Sequence, residues 1–219
     1  MKLLVGLGNP GDRYARHRHN VGFMALDAVA DACRLPAWKR KFQGRLTDGL
    51  VGGDRAFLLE PQTYMNESGR AVAEAARFHR FAPEDIIVFH DELDLAPGKV
   101  RVKLGGGVAG HNGLRSIAAC IGTKDFRRVR IGIGHPGHKS KVTGHVLGDF
   151  SKSDRDWLDP LLDAMVTATP LLVAGDDAGF MNKVALLTQP RPEKRDGAGQ
   201  DRREGQATPS SGAGRPQKS

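Results

Sequence analysis

Histidine, carboxylate and amide side chains recur at five places in this chain where turns meet regular elements. These places are Asn9, the segment 17–20, the segment 64–66, His90 with Asp91, and His111 with Asn112. A neutral imidazole with a carboxylate partner can deprotonate water near pH 7, and amide groups can hold that water or a developing oxyanion. The residue types therefore indicate hydrolysis by an activated water molecule.

Two other chemistries fit the sequence less well. A covalent serine mechanism is not expected, because there is no GxSxG turn and no serine at a strand-to-helix turn beside a histidine. A metal centre competes, since His17-x-His19 and His90-Asp91 are ligand types of metallohydrolases. There is no HExxH helix, however, which counts against a metal site. The glycine segment 105–110 matches no nucleotide-binding motif, so a bound nucleotide cofactor is not expected either. We expect neither a metal nor another cofactor.

Each of these residues also has a purely structural interpretation. Asn9 in Asn-Pro-Gly is a typical turn residue, and Asn66 and Asn112 are well placed to cap the helices that follow them. The histidines can be surface groups or hydrogen-bonded buried rings. Loops at the carboxyl ends of strands line a common crevice in α/β sheets, however, so we expect the five places to converge.

The elements that must position these residues alternate along the chain. Apolar runs predict strands at 2–7, 44–51, 55–60, 86–89, 99–104 and 129–133, the second and third forming an antiparallel pair. Helical spacing predicts helices from Asn20, over 70–81, over 113–121, from Trp157 and over 180–187, the fourth weakened by Pro160 and Pro170. The expected fold is a single α/β domain with a mixed β-sheet packed between helices.

Composition limits the class of protein and its location. No stretch of the 219 residues reaches the roughly 20 apolar residues of a membrane helix, and the first apolar run is too short for a signal peptide. Cys33 and Cys120 have no CxxC spacing, which excludes a disulfide framework and cysteine-based zinc modules. We expect a cytoplasmic protein without a membrane partner.

The net charge of +8 is distributed unevenly along the chain. The segment 188–219 is basic and rich in Pro and Gly, with little apolar surface to offset the entropy of ordering, so we expect a disordered tail after a domain over 1–187. Basic residues in the domain recur beside the polar loops, as a polyanionic substrate would require, although ordinary solubility also permits this.

Six longer motifs carry a resemblance to a known family. They are VGLGNPG (5–11), RHNVGF (18–23), PQTYMNESG (61–69), HDELDLAPG (90–98), KLGGGVAGHNGLRSI (103–117) and RVRIGIGHPG (128–137). In this order they closely resemble the bacterial peptidyl-tRNA hydrolase family over about residues 1–187. The resemblance implies a metal-free, monomeric enzyme that cleaves the ester between a peptide and the 3′ end of tRNA. Its partner would be the acceptor end of peptidyl-tRNA with the attached peptide.

The resemblance also implies roles for individual residues. His19 would be the catalytic base and Asp91 its carboxylate partner. Asn66 and Asn112 would orient the water and the peptide carbonyl, and Asn9 would help to distinguish blocked from free aminoacyl ends. The remaining implied binding residues are Tyr14, Tyr64, Met65 and His111 around the cleft, and Lys103 with Arg130 as a basic pair that holds a tRNA phosphate.

A non-catalytic RNA-binding protein on the same fold is the alternative from another class. Its cleft would have no need of His19 with Asp91, and both residues are present. Activity lost on addition of a chelator would instead support a metal-dependent phosphohydrolase.

Overall fold

The computed structural model describes residues 1–189, whose centre is a seven-stranded sheet. Its strands are β1 Lys2–Gly6, β2 Lys39–Lys41, β3 Gly44–Val51, β4 Asp54–Pro61, β5 Ile86–Glu92, β6 Val100–Leu104 and β7 Arg127–Gly132. Their order across the sheet is β2-β3-β4-β1-β5-β7-β6. The alternating strands and helices predicted from the sequence thus form one α/β fold.

Strand directions make the sheet mixed, as predicted. β1 runs parallel to β4 and β5, and β5 runs parallel to β7. The pairs β2–β3, β3–β4 and β6–β7 are antiparallel. Because β1, β4 and β5 share one direction, the segments that follow them leave the sheet at the same edge.

Helices cover both faces of the sheet. They are α1 Val21–Ala32, α2 Ser68–His79, α3 Asn112–Ile121, α4 Val142–Val146, α5 Arg155–Val173 and α6 Asp177–Leu187. Alternate residues of β1 point to opposite faces, so Leu4 packs with α1, α5 and α6, whereas Leu3 and Val5 pack with α2 and α3. The predicted packing of the sheet between helices is confirmed.

Some predicted boundaries were wrong. β5 continues through Glu92, so His90 and Asp91 lie within the strand rather than after it. α5 is one continuous helix despite Pro160 and Pro170, because its apolar side is buried against the sheet and offsets the lost hydrogen bonds. β2 and α4 were not predicted, since elements of 3 and 5 residues are too short for a periodic pattern.

The close approach of α1 to the sheet depends on Gly22. A Cβ at this position would lie 2.3 Å from the carbonyl oxygen of Phe89 and 2.5 Å from the backbone nitrogen of Leu7. The first turn of α1 therefore lies directly against the ends of β1 and β5. This contact brings His19, three residues before Gly22, next to Asp91.

Over residues 1–189, we find no helix that combines the length and apolar character needed to cross a bilayer. The predicted tail over 188–219 lies outside the described residues apart from its first two positions.

Candidate active site

An open cleft of about 880 Å³ lies at the edge of the sheet where β1, β4 and β5 end. Most of the predicted site residues line it, namely Asn9, His19, Tyr64, Met65, Asn66, Asp91, His111 and Asn112. They come from segments far apart in sequence, so the predicted convergence of the polar loops is confirmed. Tyr14, Lys103 and Arg130 do not line this cleft.

Asp91 is the buried centre of the site. It is 3% exposed, and its Oδ1 lies 2.8 Å from Nδ1 of His19. Burial alone would raise the pKa of Asp91, but the charges and hydrogen bonds of His19 and His111 outweigh burial and hold it well below its ordinary value. The ionised carboxylate therefore accepts a hydrogen bond from the Nδ1–H of His19, which leaves the Nε2 lone pair free to take a proton in the cleft.

His111 donates a second hydrogen bond to the same oxygen. Its Nε2 lies 3.0 Å from Oδ1 of Asp91. Its Nδ1 accepts the backbone N–H groups of Gly113 at 3.1 Å and Leu114 at 3.4 Å, which fixes the proton on Nε2. One carboxylate oxygen thus orients two imidazole rings, and the cap that begins α3 holds the second ring in place.

The same three residues could in principle bind a metal. Ligand atoms of His19, Asp91 and His111 lie within 4.8 Å of one another. A metal requires unprotonated nitrogens, whereas both nitrogens that face Asp91 carry protons in this hydrogen-bond network. His17, the other ligand of the suggested His-x-His pair, faces Asp149 instead. The geometry favours proton transfer over metal binding.

His90 lies beneath this pair as a neutral ring. It is 1% exposed and its Nδ1 donates to the backbone oxygen of Asp91 at 2.8 Å. Burial, followed by the charge of His111, lowers the pKa of His90 to about 3. Its ring packs edge-on against His111, with 5.1 Å between centroids. His90 therefore supports the site without adding positive charge at neutral pH.

Hydrogen bonds with the backbone fix the orientation of Asn9. Its Oδ1 accepts the backbone N–H of Met65 at 2.8 Å. Asn20 holds the Asn9 backbone by accepting its N–H at 3.0 Å and donating to its carbonyl at 2.9 Å. The side-chain NH₂ of Asn9 is consequently the group left available in the cleft. Asn20 was included in the segment 17–20, but this clamp could not be seen in the sequence.

The capping roles suggested for Asn66 and Asn112 were wrong. In the described part of the chain, no side chain caps α2, whose N-cap residue is Glu67, and the side chain that caps α3 belongs to His111. Asn66 and Asn112 are exposed residues that line the cleft, and the one side-chain hydrogen bond of Asn112 within residues 1–189 is a 3.5 Å contact with Arg115. Their amides are therefore available to a ligand.

Tyr64 and Met65, the two residues predicted from the PQTYMNESG motif to line the cleft, differ in exposure. Tyr64 is 57% exposed at the rim, whereas Met65 is buried and packs against Gly113 of α3. Tyr14 stands apart from the cleft lining, with its ring edge-on to His17 at 5.2 Å and beneath the Arg13 guanidinium. Of the three, only Tyr64 and Met65 contribute to the cleft surface.

The predicted basic pair lies on the neighbouring strands β6 and β7. Arg130 donates from Nε to Oε2 of Glu92 at 2.7 Å, and Glu92 lines the cleft. Lys103 is exposed and forms no ion pair within residues 1–189. Sequence reasoning did not single out Glu92 or the α4 side chains Thr143 and Val146, which also line the cleft.

Comparison with known proteins assigns the family. The sequence profile of the family described as "Peptidyl-tRNA hydrolase" matches residues 3–194, which is most of the chain. The chain belongs to the peptidyl-tRNA hydrolase family. A curated peptidyl-tRNA hydrolase from Methylobacterium sp. (strain 4-46) is 60% identical over 191 residues, covering 87% of this chain and 94% of the relative.

Two further relatives agree with this assignment. A peptidyl-tRNA hydrolase from Parvibaculum lavamentivorans is 58% identical over 196 residues, with 89% of this chain and 95% of the relative covered. The crystal structure of peptidyl-tRNA hydrolase from Acinetobacter baumannii superposes with a TM-score of 0.79 at 44% identity, covering 84% of this chain and 94% of that chain. The predicted resemblance, fold and enzyme class of the peptidyl-tRNA hydrolase family are confirmed, while the roles of single residues stay predictions.

Proposed function

We propose that this enzyme hydrolyses the ester between a peptide, or an N-blocked amino acid, and the 3′ end of tRNA, releasing tRNA for reuse in translation. The observation that carries the proposal is the His19–Asp91 pair, with Nδ1 of His19 bonded to the buried carboxylate and Nε2 free at the cleft. The names of the relatives supply the substrate.

Because translation is cytoplasmic, we place the activity in the cytoplasm. A monomeric state stays a prediction.

In the first step, Nε2 of His19 takes a proton from water as the water oxygen attacks the ester carbonyl carbon. The imidazolium that forms keeps its Nδ1–H on Asp91, whose negative charge stabilises the new positive charge. The carbonyl π electrons move to the oxygen, giving a tetrahedral oxyanion. Neutral amide donors from Asn66 and Asn112 are suited to hold the water and the oxyanion.

In the second step, the oxyanion collapses and the bond to the ribose oxygen breaks. His19 returns its proton from Nε2 to that leaving oxygen, so the products are a carboxylic acid and a free 3′ end. No group on the protein is consumed, and the base is regenerated in the tautomer that Asp91 and the backbone around it impose.

Asn9 gives a physical reason for a preference for blocked substrates. Its Oδ1 already accepts the Met65 N–H, so the side-chain NH₂ is the group that faces a ligand in the cleft. A peptide or blocked amino acid offers a carbonyl oxygen to that donor, whereas a free α-ammonium group offers another donor and meets no acceptor there. We assign Tyr64, Met65 and His111 to the substrate surface of the cleft. Tyr14, Lys103 and Arg130 lie outside the cleft lining, and we assign them to contacts with the rest of the tRNA, Lys103 and Arg130 as the pair that holds a phosphate.

Release of free tRNA from N-acetyl-aminoacyl-tRNA, measured with EDTA present, tests this function. His19→Ala should lower turnover by about 10²–10⁴-fold while tRNA binding is retained, and Asp91→Asn should lower it without unfolding the protein. An unblocked aminoacyl-tRNA is the control for selectivity. Wild-type protein that binds tRNA but releases none would overturn the proposal in favour of RNA binding alone.

A further inference from the structure

The segment that carries His19 is attached to the connection between α4 and α5. Two backbone hydrogen bonds join them, from the N–H of Arg18 to the oxygen of Gly148 at 3.0 Å and from the N–H of Phe150 to the oxygen of Arg16 at 3.0 Å. The residue directly before the proposed base is therefore bonded to a part of the chain that is distant in sequence.

The side chain of Arg18 adds two further hydrogen bonds to this attachment. Its Nη1 donates to the backbone oxygen of Asp149 at 2.8 Å, and its Nη2 donates to Oδ2 of Asp154 at 2.9 Å. The guanidinium carbon lies 5.5 Å from the centre of the Phe150 ring, which is buried. A planar guanidinium bonds two acceptors at fixed positions, so this side chain sets the spacing between the His19 segment and the connection.

Asp154 is itself held in place before α5. Its Oδ2 also accepts the N–H of Ser151 at 2.8 Å and the hydroxyl of Ser151 at 2.9 Å, and its Oδ1 accepts the indole N–H of Trp157 at 3.3 Å. Burial would raise the pKa of Asp154, but these hydrogen bonds and the charge of Arg18 outweigh burial and lower it. The side chains of Arg18 and Asp154 are 17% and 21% exposed, so solvent weakens this ion pair less than one on the open surface.

The connection that Arg18 binds continues directly from one wall of the cleft. This wall consists of α4 side chains and the residue that follows the helix. Its members in the cleft lining are Val142, Thr143, Val146 and Leu147. His19 lines the same cleft, whereas Arg18 lies outside its lining. The route from Arg18 to the reacting atoms therefore passes through the groups that it positions.

We infer that Arg18 is a positioning residue for the hydrolysis, which holds His19 at a fixed distance from the α4 wall through its bonds to Asp154 and to the Asp149 carbonyl. This inference rests on the proposed function, because it takes His19 as the base. An ester that lies against α4 then meets the imidazole without further movement of the His19 segment. A displacement of about 1 Å in a catalytic site can cost about 10²-fold in rate, so a firm attachment beside the base favours turnover.

Turnover of N-blocked aminoacyl-tRNA by Arg18→Gln tests the inference. We expect kcat to fall about tenfold in protein that circular dichroism shows to be fully folded at the assay temperature, because the His19 segment then samples more positions.

Arg16→Gln is the matched control for this substitution. It removes the same charge from the same segment, but the Arg16 side chain is 74% exposed and its 3.3 Å contact with the Asp149 carboxylate is a surface ion pair. Its kcat should equal that of the wild type, and any effect of the lost charge on KM should be common to both variants.

A double-mutant cycle determines whether Arg18 acts through Asp154. Asp154→Asn removes the charge that binds the guanidinium and should lower kcat by a similar factor. When both substitutions are combined, the loss should be close to that of either one rather than to their product. Losses that multiply would overturn the inference, because the two residues would then act separately. A lower melting temperature with wild-type kcat would also overturn it, since a contact that only stabilises the fold gives that result.

A measurement without substrate distinguishes this inference from the proposed function. The Nδ1–H proton of His19, bonded to Asp91, can be followed by NMR in protein with ¹⁵N-labelled histidine, and His19→Ala assigns its signal. We expect this proton to exchange with solvent faster in Arg18→Gln than in Arg16→Gln, because the His19 segment opens more often. Wild-type exchange in Arg18→Gln would contradict the positioning role. Wild-type protein that releases no tRNA would instead overturn the proposed function, and the NMR result would still show whether Arg18 holds the His19 ring.

Discussion

At the scale of single residues, the site is organised around one oxygen atom. Oδ1 of Asp91 accepts hydrogen bonds from both His19 and His111, so each ring presents its lone pair away from the carboxylate. For His19 that lone pair faces the cleft, and for His111 it accepts the first N–H groups of α3. The residue types predicted a histidine with a carboxylate partner, and the resemblance to the family implied that these are His19 and Asp91. The sequence could not predict the second pairing, because His111 resembles any polar residue ahead of a helix.

His111 therefore has two separable functions, which two substitutions distinguish. His111→Asn loses the bond to Asp91 but keeps a side-chain acceptor at the N-cap, whereas His111→Phe loses both. We expect both variants to lower kcat about tenfold, because the Asp91 carboxylate is freer to rotate and holds His19 less firmly. Only the Phe variant should also lose about 1 kcal/mol of stability to the missing cap.

Steady-state kinetics and urea denaturation of the two variants measure these effects side by side. Equal stability of the Asn and Phe variants would show that the Nδ1 cap contributes nothing. Wild-type kcat in both would show that Asp91 needs only His19.

At the scale of elements, the strands and helices that were predicted best are long and have a regular pattern of buried residues. Strands and helices with several apolar residues at regular spacing, such as β1 and α1, lie within a few residues of their predicted positions. β5 was predicted too short because His90, Asp91 and Glu92 resemble the end of a strand, although all three are buried. Their burial depends on partners from distant segments, such as His19 and Arg130, which local sequence does not reveal.

The contact of α1 with the sheet can be tested at Gly22. Gly22→Ala would place a Cβ against the backbone of Phe89 and Leu7, so α1 must move outward and carry His19 away from Asp91. We expect a loss of about 1–3 kcal/mol in the free energy of unfolding and a larger proportional loss of kcat than of tRNA affinity. Denaturation curves and kinetics of the purified variant provide the measurement.

Gly144→Ala is the matched control for this substitution. Gly144 is also a helical glycine, in α4, but nothing lies within 4 Å of an added Cβ. Alanine there should stabilise the protein by up to about 1 kcal/mol through helix propensity. A stable, fully active Gly22→Ala variant would show that α1 tolerates the displacement and that its close approach does not position His19.

At the scale of the whole molecule, a partly buried cluster of ionisable groups joins the far edge of the sheet to α1. Arg45 on β3 donates to Glu60 on β4 and to both carboxylate oxygens of Asp27 on α1. Glu60 is fully buried, and one of its oxygens has no partner among the described residues. Any two of these three residues are at least 15 positions apart in sequence. They come together because the fold places α1 beside β3 and β4, which composition and spacing could not predict.

This cluster predicts how the stability of the fold responds to pH. Burial, with the nearby charge of Asp27, raises the pKa of Glu60 to about 8 although Arg45 opposes the shift. The folded protein therefore holds a proton that the unfolded chain has released, and stability falls as pH rises towards 8. Between pH 6.5 and 8 we expect the wild type to lose about 2 kcal/mol.

Glu60→Gln, whose amide cannot ionise, should remove this loss and leave a flat profile over the same window. His90, whose pKa is lowered to about 3, affects stability only below its unfolded value of about 6.5 and so does not interfere. Urea denaturation at several pH values in this range measures both proteins. Parallel profiles for the wild type and Glu60→Gln would show instead that Arg45 keeps Glu60 ionised, and that the cluster is a permanent ion pair between the sheet and α1.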